Sequence, residues 1–90
     1  MSAWLIIEEE TVTADGPASH RQVKARTANG KTREEALVEL YRAARNYNSD
    51  SLKRGTTVVG RDSDGSFWVL PKNGKSHASC NLRLIEQIRT

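Results

Sequence analysis

The stretch Thr32-Arg33-Glu34-Glu35-Ala36-Leu37-Val38-Glu39-Leu40-Tyr41-Arg42-Ala43-Ala44-Arg45 fixes the centre of the fold. Thr32 and Glu35 form a capping box: the threonine hydroxyl accepts from the N–H of Glu35, and the Glu35 carboxylate accepts from the N–H of Thr32. The helix so started is expected to run to about Asn48. Leu37, Leu40, Tyr41, Ala44 and Tyr47 recur at helical spacing and form one apolar stripe. Glu34 and Glu35 lie in the first turn and Arg42 and Arg45 toward the end, each on the side that the helix dipole favours.

Strand signals lie on both sides of this helix. Trp4 to about Thr13 opens apolar, becomes polar and is rich in β-branched residues. After the turn chemistry of 14–19, Arg21 to Ala28 alternates, with Val23, Ala25 and Thr27 on one side and Gln22, Lys24 and Arg26 on the other. These two segments make a hairpin. Asn29-Gly30-Lys31 breaks the chain before the helix. Downstream, Thr56 to Asp62, Ser66 to Lys72 and Lys75 to Leu82 read as a three-stranded meander, with Ser63-Asp64-Gly65 and Asn73-Gly74 as its turns. Leu84, Ile85 and Ile88 suggest a short closing helix. The expected architecture is a single α+β domain over 1–90, its antiparallel strands in ββαβββα order on one amphipathic helix.

Composition narrows the class. Ninety residues with 37% hydrophobic and 28% charged side chains are ordinary globular stock, which excludes a disordered chain. The longest apolar run, Ala3 to Ile7, ends in three glutamates, so neither a membrane span nor a secretory signal is expected. Cys80 is the single cysteine and has no internal disulfide partner. A reducing, cytoplasmic setting is the default expectation.

The chain offers little for catalysis. His77 and Cys80 are three apart on a strand, and that spacing sends their side chains to opposite faces. A zinc site needs three or four ligands, and His20 is the one further good candidate. The pairs Glu8/Glu10, Glu34/Glu35 and Asp62/Asp64 lack a neighbour that would drive their pKa values apart. Asp62-Ser63-Asp64-Gly65 begins like a calcium loop but has no later bidentate glutamate. Gly30-Lys31-Thr32 lacks the upstream glycine of a phosphate loop. No enzyme, metal or cofactor is therefore expected.

Charge and aromatic placement carry the remaining signals. Residues 21–33 hold Arg21, Lys24, Arg26, Lys31 and Arg33 with no acid among them, whereas 1–20 hold Glu8, Glu9, Glu10 and Asp15. Lys24 and Arg26 project outward together, as a ribbon that contacts nucleic acid would, with Lys31 and Arg33 as auxiliary contacts. The alternative is cross-strand neutralisation, in which Glu10 faces Lys24 and Glu8 faces Arg26. Adjacent Phe67 and Trp68 must point to opposite faces of their strand. One enters the core, and the other shares a second face with Leu70 and Val58, which needs a cover.

Three segments, Trp4-Leu5-Ile6-Ile7-Glu8-Glu9-Glu10-Thr11, Thr32-Arg33-Glu34-Glu35-Ala36-Leu37 and Asp64-Gly65-Ser66-Phe67-Trp68-Val69, together with Cys80, resemble a group of short actinobacterial proteins with the same order of segments. That resemblance implies the same fold and brings no activity with it. The stretch from Trp4 to Ala44 also resembles the arm-binding DNA domain of tyrosine integrases, which implies a sheet in the major groove with Lys24 and Arg26 as contacts. That family has three strands before its helix, and two are evident here. The same capping segment is similar to that of HicB antitoxins, and the segment order after Gly30 to that of a double-stranded-RNA-binding domain. The expectation is a non-enzymatic binding or regulatory module with nucleic acid as the favoured partner. The competing expectation is a protein-interaction module or homodimer that uses an open sheet edge or the face of Trp68 and Leu70.

Overall fold

The computed structural model describes residues 3–13, 19–28, 32–72 and 78–89. It has an α+β fold: β1 (Ala3–Thr13), β2 (Ser19–Thr27), α1 (Arg33–Arg45), β3 (Thr57–Arg61), β4 (Phe67–Pro71) and β5 (Ala78–Gln87). The strands form one antiparallel sheet in the order β2-β1-β5-β4-β3, with α1 packed across one face. The expected turn at 14–18, the break at 29–31 and the Asn73-Gly74 turn lie outside the described residues.

The capping box forms as expected. Thr32 Oγ1 accepts from the Glu35 N–H at 3.1 Å, and the Glu35 carboxylate accepts from the Thr32 N–H at 3.2 Å. Thr32→Ala should cost about 1 kcal/mol, whereas Arg33→Ala, one residue on and exposed, should be close to neutral. Chemical denaturation of the two variants checks this, and equal losses would place the start of the helix elsewhere. The helix stops at Arg45 rather than Asn48, because the chain turns at Asn46 to dock its next segment on the sheet.

Three expectations need correction. There is no closing helix among the described residues: Leu84 and Ile85 continue β5, which runs to Gln87. Helical spacing of Leu84, Ile85 and Ile88 competes with the alternation of Cys80, Leu82 and Leu84, and pairing with β1 along the whole strand decides for the strand. Second, the first hairpin is two residues out of the expected register: Glu8 faces Lys24, Glu10 faces Gln22 and Arg26 faces Ile6. Third, the buried stripe of α1 is Ala36, Leu40 and Ala44, with Leu37 and Tyr47 half-buried, while Tyr41 is 44% exposed. Small alanines above and below Leu40 let the helix lie close to the sheet. Tyr41 is displaced to the flank, where its ring meets Phe67 edge-on at 5.9 Å.

Register and alternation divide the sheet into two sides. The helix side carries Ile6, Cys80, Leu82, Phe67 and Val69, all buried, and Leu52 from the loop after α1 joins their cluster. Lys24 and Arg26 belong to this side, since they face Glu8 and Ile6. Their expected outward projection is therefore a projection toward the helix layer. The other side carries Val23, Ile7, Ile85, Trp68, Leu70 and Val58. No described element packs on it.

Candidate interaction face

Phe67 and Trp68 part as expected, Phe67 buried under the helix and Trp68 on the open side. With Trp68 stand Leu70, directly opposite Val58, and Gly60, directly opposite Trp68 itself. Gly60 leaves a notch there, since a Cβ at that position would meet nothing within 4 Å. The indole N–H donates to Asp62 at 3.0 Å, which fixes the ring at the rim. Exposures are 36% for Trp68, 40% for Leu70 and for Ile85, 47% for Val58 and 51% for Val23. These five side chains lie on four strands of one uncovered face. An apolar surface of this kind is normally a contact surface.

A charged strip crosses the middle of the face. Glu9 is held between Arg21 at 2.5 Å and Arg83 at 2.9 Å, and Arg83 also donates to the Asn81 side chain. The Arg83 hydrogen bond, helped by Arg21, keeps the Glu9 carboxyl below its ordinary pKa range. One carboxylate thus serves two guanidinium groups, which leaves the strip net positive, and the apolar groups lie on both sides of it.

The expected nucleic-acid contacts do not make one free cluster. Lys24 lies across from Glu8, and Arg26 pairs with Glu39 of α1 at 3.2 Å. Arg33 is exposed on the first turn of α1, away from both. Lys31 lies outside the described residues. The expected cross-strand pairs of Lys24 with Glu10 and Arg26 with Glu8 are not formed: Lys24 faces Glu8, and the Arg26 partner comes from the helix, not from β1.

One polar cluster was not legible in the sequence. Glu10 points to the helix side, where its Oε1 accepts from the Tyr47 hydroxyl at 2.8 Å and from Ser49 Oγ at 2.5 Å. Ser49 Oγ in turn accepts from the Leu52 N–H. Burial, reinforced by the Glu10 carboxylate, drives the Tyr47 phenol far above its ordinary pKa. Burial also pushes the neighbouring Cys80 thiol up to about 11, so it remains an unreactive thiol at neutral pH. The cluster ties the 46–56 loop to the sheet. Tyr47→Phe should cost about 1.5 kcal/mol, because it removes a hydrogen bond to a carboxylate in a half-buried site. Urea titration checks this; an unchanged midpoint would mean that Ser49 alone anchors the loop.

Among the described residues no group of three His, Cys, Asp or Glu side chains could hold a metal ion. No described helix is long and apolar enough to cross a membrane. Comparison of the chain with protein-family models, with curated proteins and with solved structures gives no match in any of the three.

Proposed function

We propose that this chain is a non-enzymatic protein-interaction module that works as a homodimer, two copies packing the open faces of their sheets together. The single observation that carries this reading is the row of Val23, Ile85, Trp68, Leu70 and Val58 on a face that no described element covers. Five strands spaced about 4.8 Å apart, with a mean length near 25 Å, give a flat face of about 600 Å² per copy. Side-chain relief adds to that, which brings it close to the roughly 800 Å² per partner of a standard stable interface. Two such faces would stack about 10 Å apart as an aligned sandwich. Pairing with Glu9 offsets one of the two charges of Arg21 and Arg83, so each face brings about one net positive charge, and higher salt should favour association by screening it.

Light scattering over micromolar concentrations tests the proposal. The expected mass is twice the 10.0 kDa of one chain, and it should persist or grow more dominant as salt is raised. A chain that stays at 10.0 kDa throughout would overturn it. Nucleic acid makes the opposite forecast, since phosphate contacts weaken steeply with salt. Because Arg26 is paired with Glu39 and Lys24 stands across the strand from Glu8, a gel-shift titration against random duplex at low salt should show no complex. A retarded band at tens of micromolar (about 10⁻⁵ M) protein, lost in Lys24→Ala/Arg26→Ala, would restore the basic strand as a contact surface.

A further inference from the structure

Arg21, Arg26 and Arg83 are paired with carboxylates; among the other described cations, two stand on one cavity. Arg33, the first residue of α1, and Arg61, the last of β3, line one cavity of about 360 Å³ with Leu37, Gly65 and Phe67. No acidic residue is among these lining residues. The cavity adjoins a second one, about 370 Å³, walled by Val38 and Tyr41. Both lie on the helix side of the sheet, in the space between α1 and β3 that a single helix leaves uncovered.

The groups around this cavity are held in place by other contacts. Arg61 lies over the Phe67 ring with its guanidinium carbon 5.2 Å from the centroid, and the edge of Tyr41 packs on the same ring. A guanidinium stacked on a ring keeps its in-plane N–H donors available for a second partner. Asp64 lines an adjoining cavity of about 170 Å³ that shares Arg33, Leu37 and Gly65, and its carboxylate is engaged within the chain. Asp64 accepts from the N–H and the hydroxyl of Ser66 at 2.9 and 2.6 Å, and Glu35 accepts from Thr32. Gly65, at φ +89°, forms the open rim: a Cβ there would meet nothing within 4 Å. The capping box already occupies the N–H groups of Thr32 and Glu35.

We propose that this cavity is a binding site for a small aryl anion, a flat apolar or aromatic group bearing a carboxylate or phosphate. Arg33 and Arg61 would take the anionic group, and Leu37, Val38 and Tyr41 the apolar body. Both arginines line the same cavity, and an anionic group placed there would gain charge-assisted hydrogen bonds from them. The volume lies within the range of about 300–1,000 Å³ typical of small-molecule sites. This inference concerns the opposite side of the sheet from the dimer face and does not depend on it.

Titration of the full chain with phenyl phosphate, followed by NMR, tests the site, with inorganic phosphate and phenol as separate arms. Phenyl phosphate should shift the Arg33 and Arg61 side-chain N–H signals and the Tyr41 ring signals together. It should bind about tenfold or more tighter than either phosphate or phenol alone, because each of those keeps half of the contacts. Arg33→Gln and Arg61→Gln should each weaken it about tenfold, Arg33→Gln with the melting temperature unchanged and Arg61→Gln with only the small loss expected from its contact with the Phe67 ring. Absence of shifts at millimolar phenyl phosphate would overturn the proposal. Equal binding of phenol and phenyl phosphate would overturn the anion role, and unchanged binding in the double variant would overturn the assignment to these two arginines.

Discussion

Leu40→Ala should lower the stability of the domain by about 2–4 kcal/mol, the largest loss expected from any single truncation on the helix. Leu40 is 1% exposed, and its neighbours along the buried stripe, Ala36 and Ala44, are already small. It is therefore the one long side chain of α1 that is fully buried in the cluster of Ile6, Leu82, Val69 and Leu52, with Leu37 packed at its edge. Alanine there would leave a cavity that the flanking alanines cannot fill. A domain of this size has of the order of 5–10 kcal/mol in total, so the variant should melt many degrees earlier. A loss below about 1 kcal/mol in a reversible thermal melt would mean that the helix packs less closely on the sheet than its burial indicates.

Leu70→Glu should weaken dimerisation by about 100-fold or more, equivalent to roughly 2.7 kcal/mol, while it leaves the monomer folded. Leu70 stands beside Trp68 on the same strand side and opposite Val58, in the densest part of the apolar face. A carboxylate placed there would be buried against an apolar partner in the dimer but solvated in the monomer. The substitution is on the 40% exposed side of β4, so the core beneath β4, formed by Phe67 and Val69, is untouched. Sedimentation velocity and far-UV circular dichroism together check this. Unchanged association with intact secondary structure would remove the β4 end of the face from the interface.

Local signals were legible in the sequence where the chemistry is local. The capping box of Thr32 and Glu35 and the divergence of Phe67 and Trp68 need only a few consecutive residues, and both appear as read. The placement of Trp68 with Leu70 and Val58 follows from alternation once the meander is recognised. What failed depends on long-range pairing. The β1–β2 register is set by side-chain matching over nine residue pairs, and charge alone admits a shift of two, because either register brings carboxylates opposite cations. The side of the sheet covered by α1 is decided at β1 and β5, by Ile6, Cys80 and Leu82, and not at β2, where Lys24 and Arg26 were expected to project outward. The tether of Tyr47 and Ser49 to Glu10 joins residues 37 and 39 apart in sequence, with no motif to announce it.

The open face can be watched directly through Trp68. Trp4 is half-buried on the helix side, so in the variant Trp4→Phe the emission reports on Trp68 alone. Acrylamide quenching and emission maximum should be followed across a dilution series in parallel with molecular mass. If the open faces pack together, Trp68 emission shifts to shorter wavelength and quenching falls, with a midpoint that coincides with the rise from one chain to two. A dimer that forms while Trp68 stays as accessible as in the monomer, or a chain that remains single at every concentration, would contradict the account.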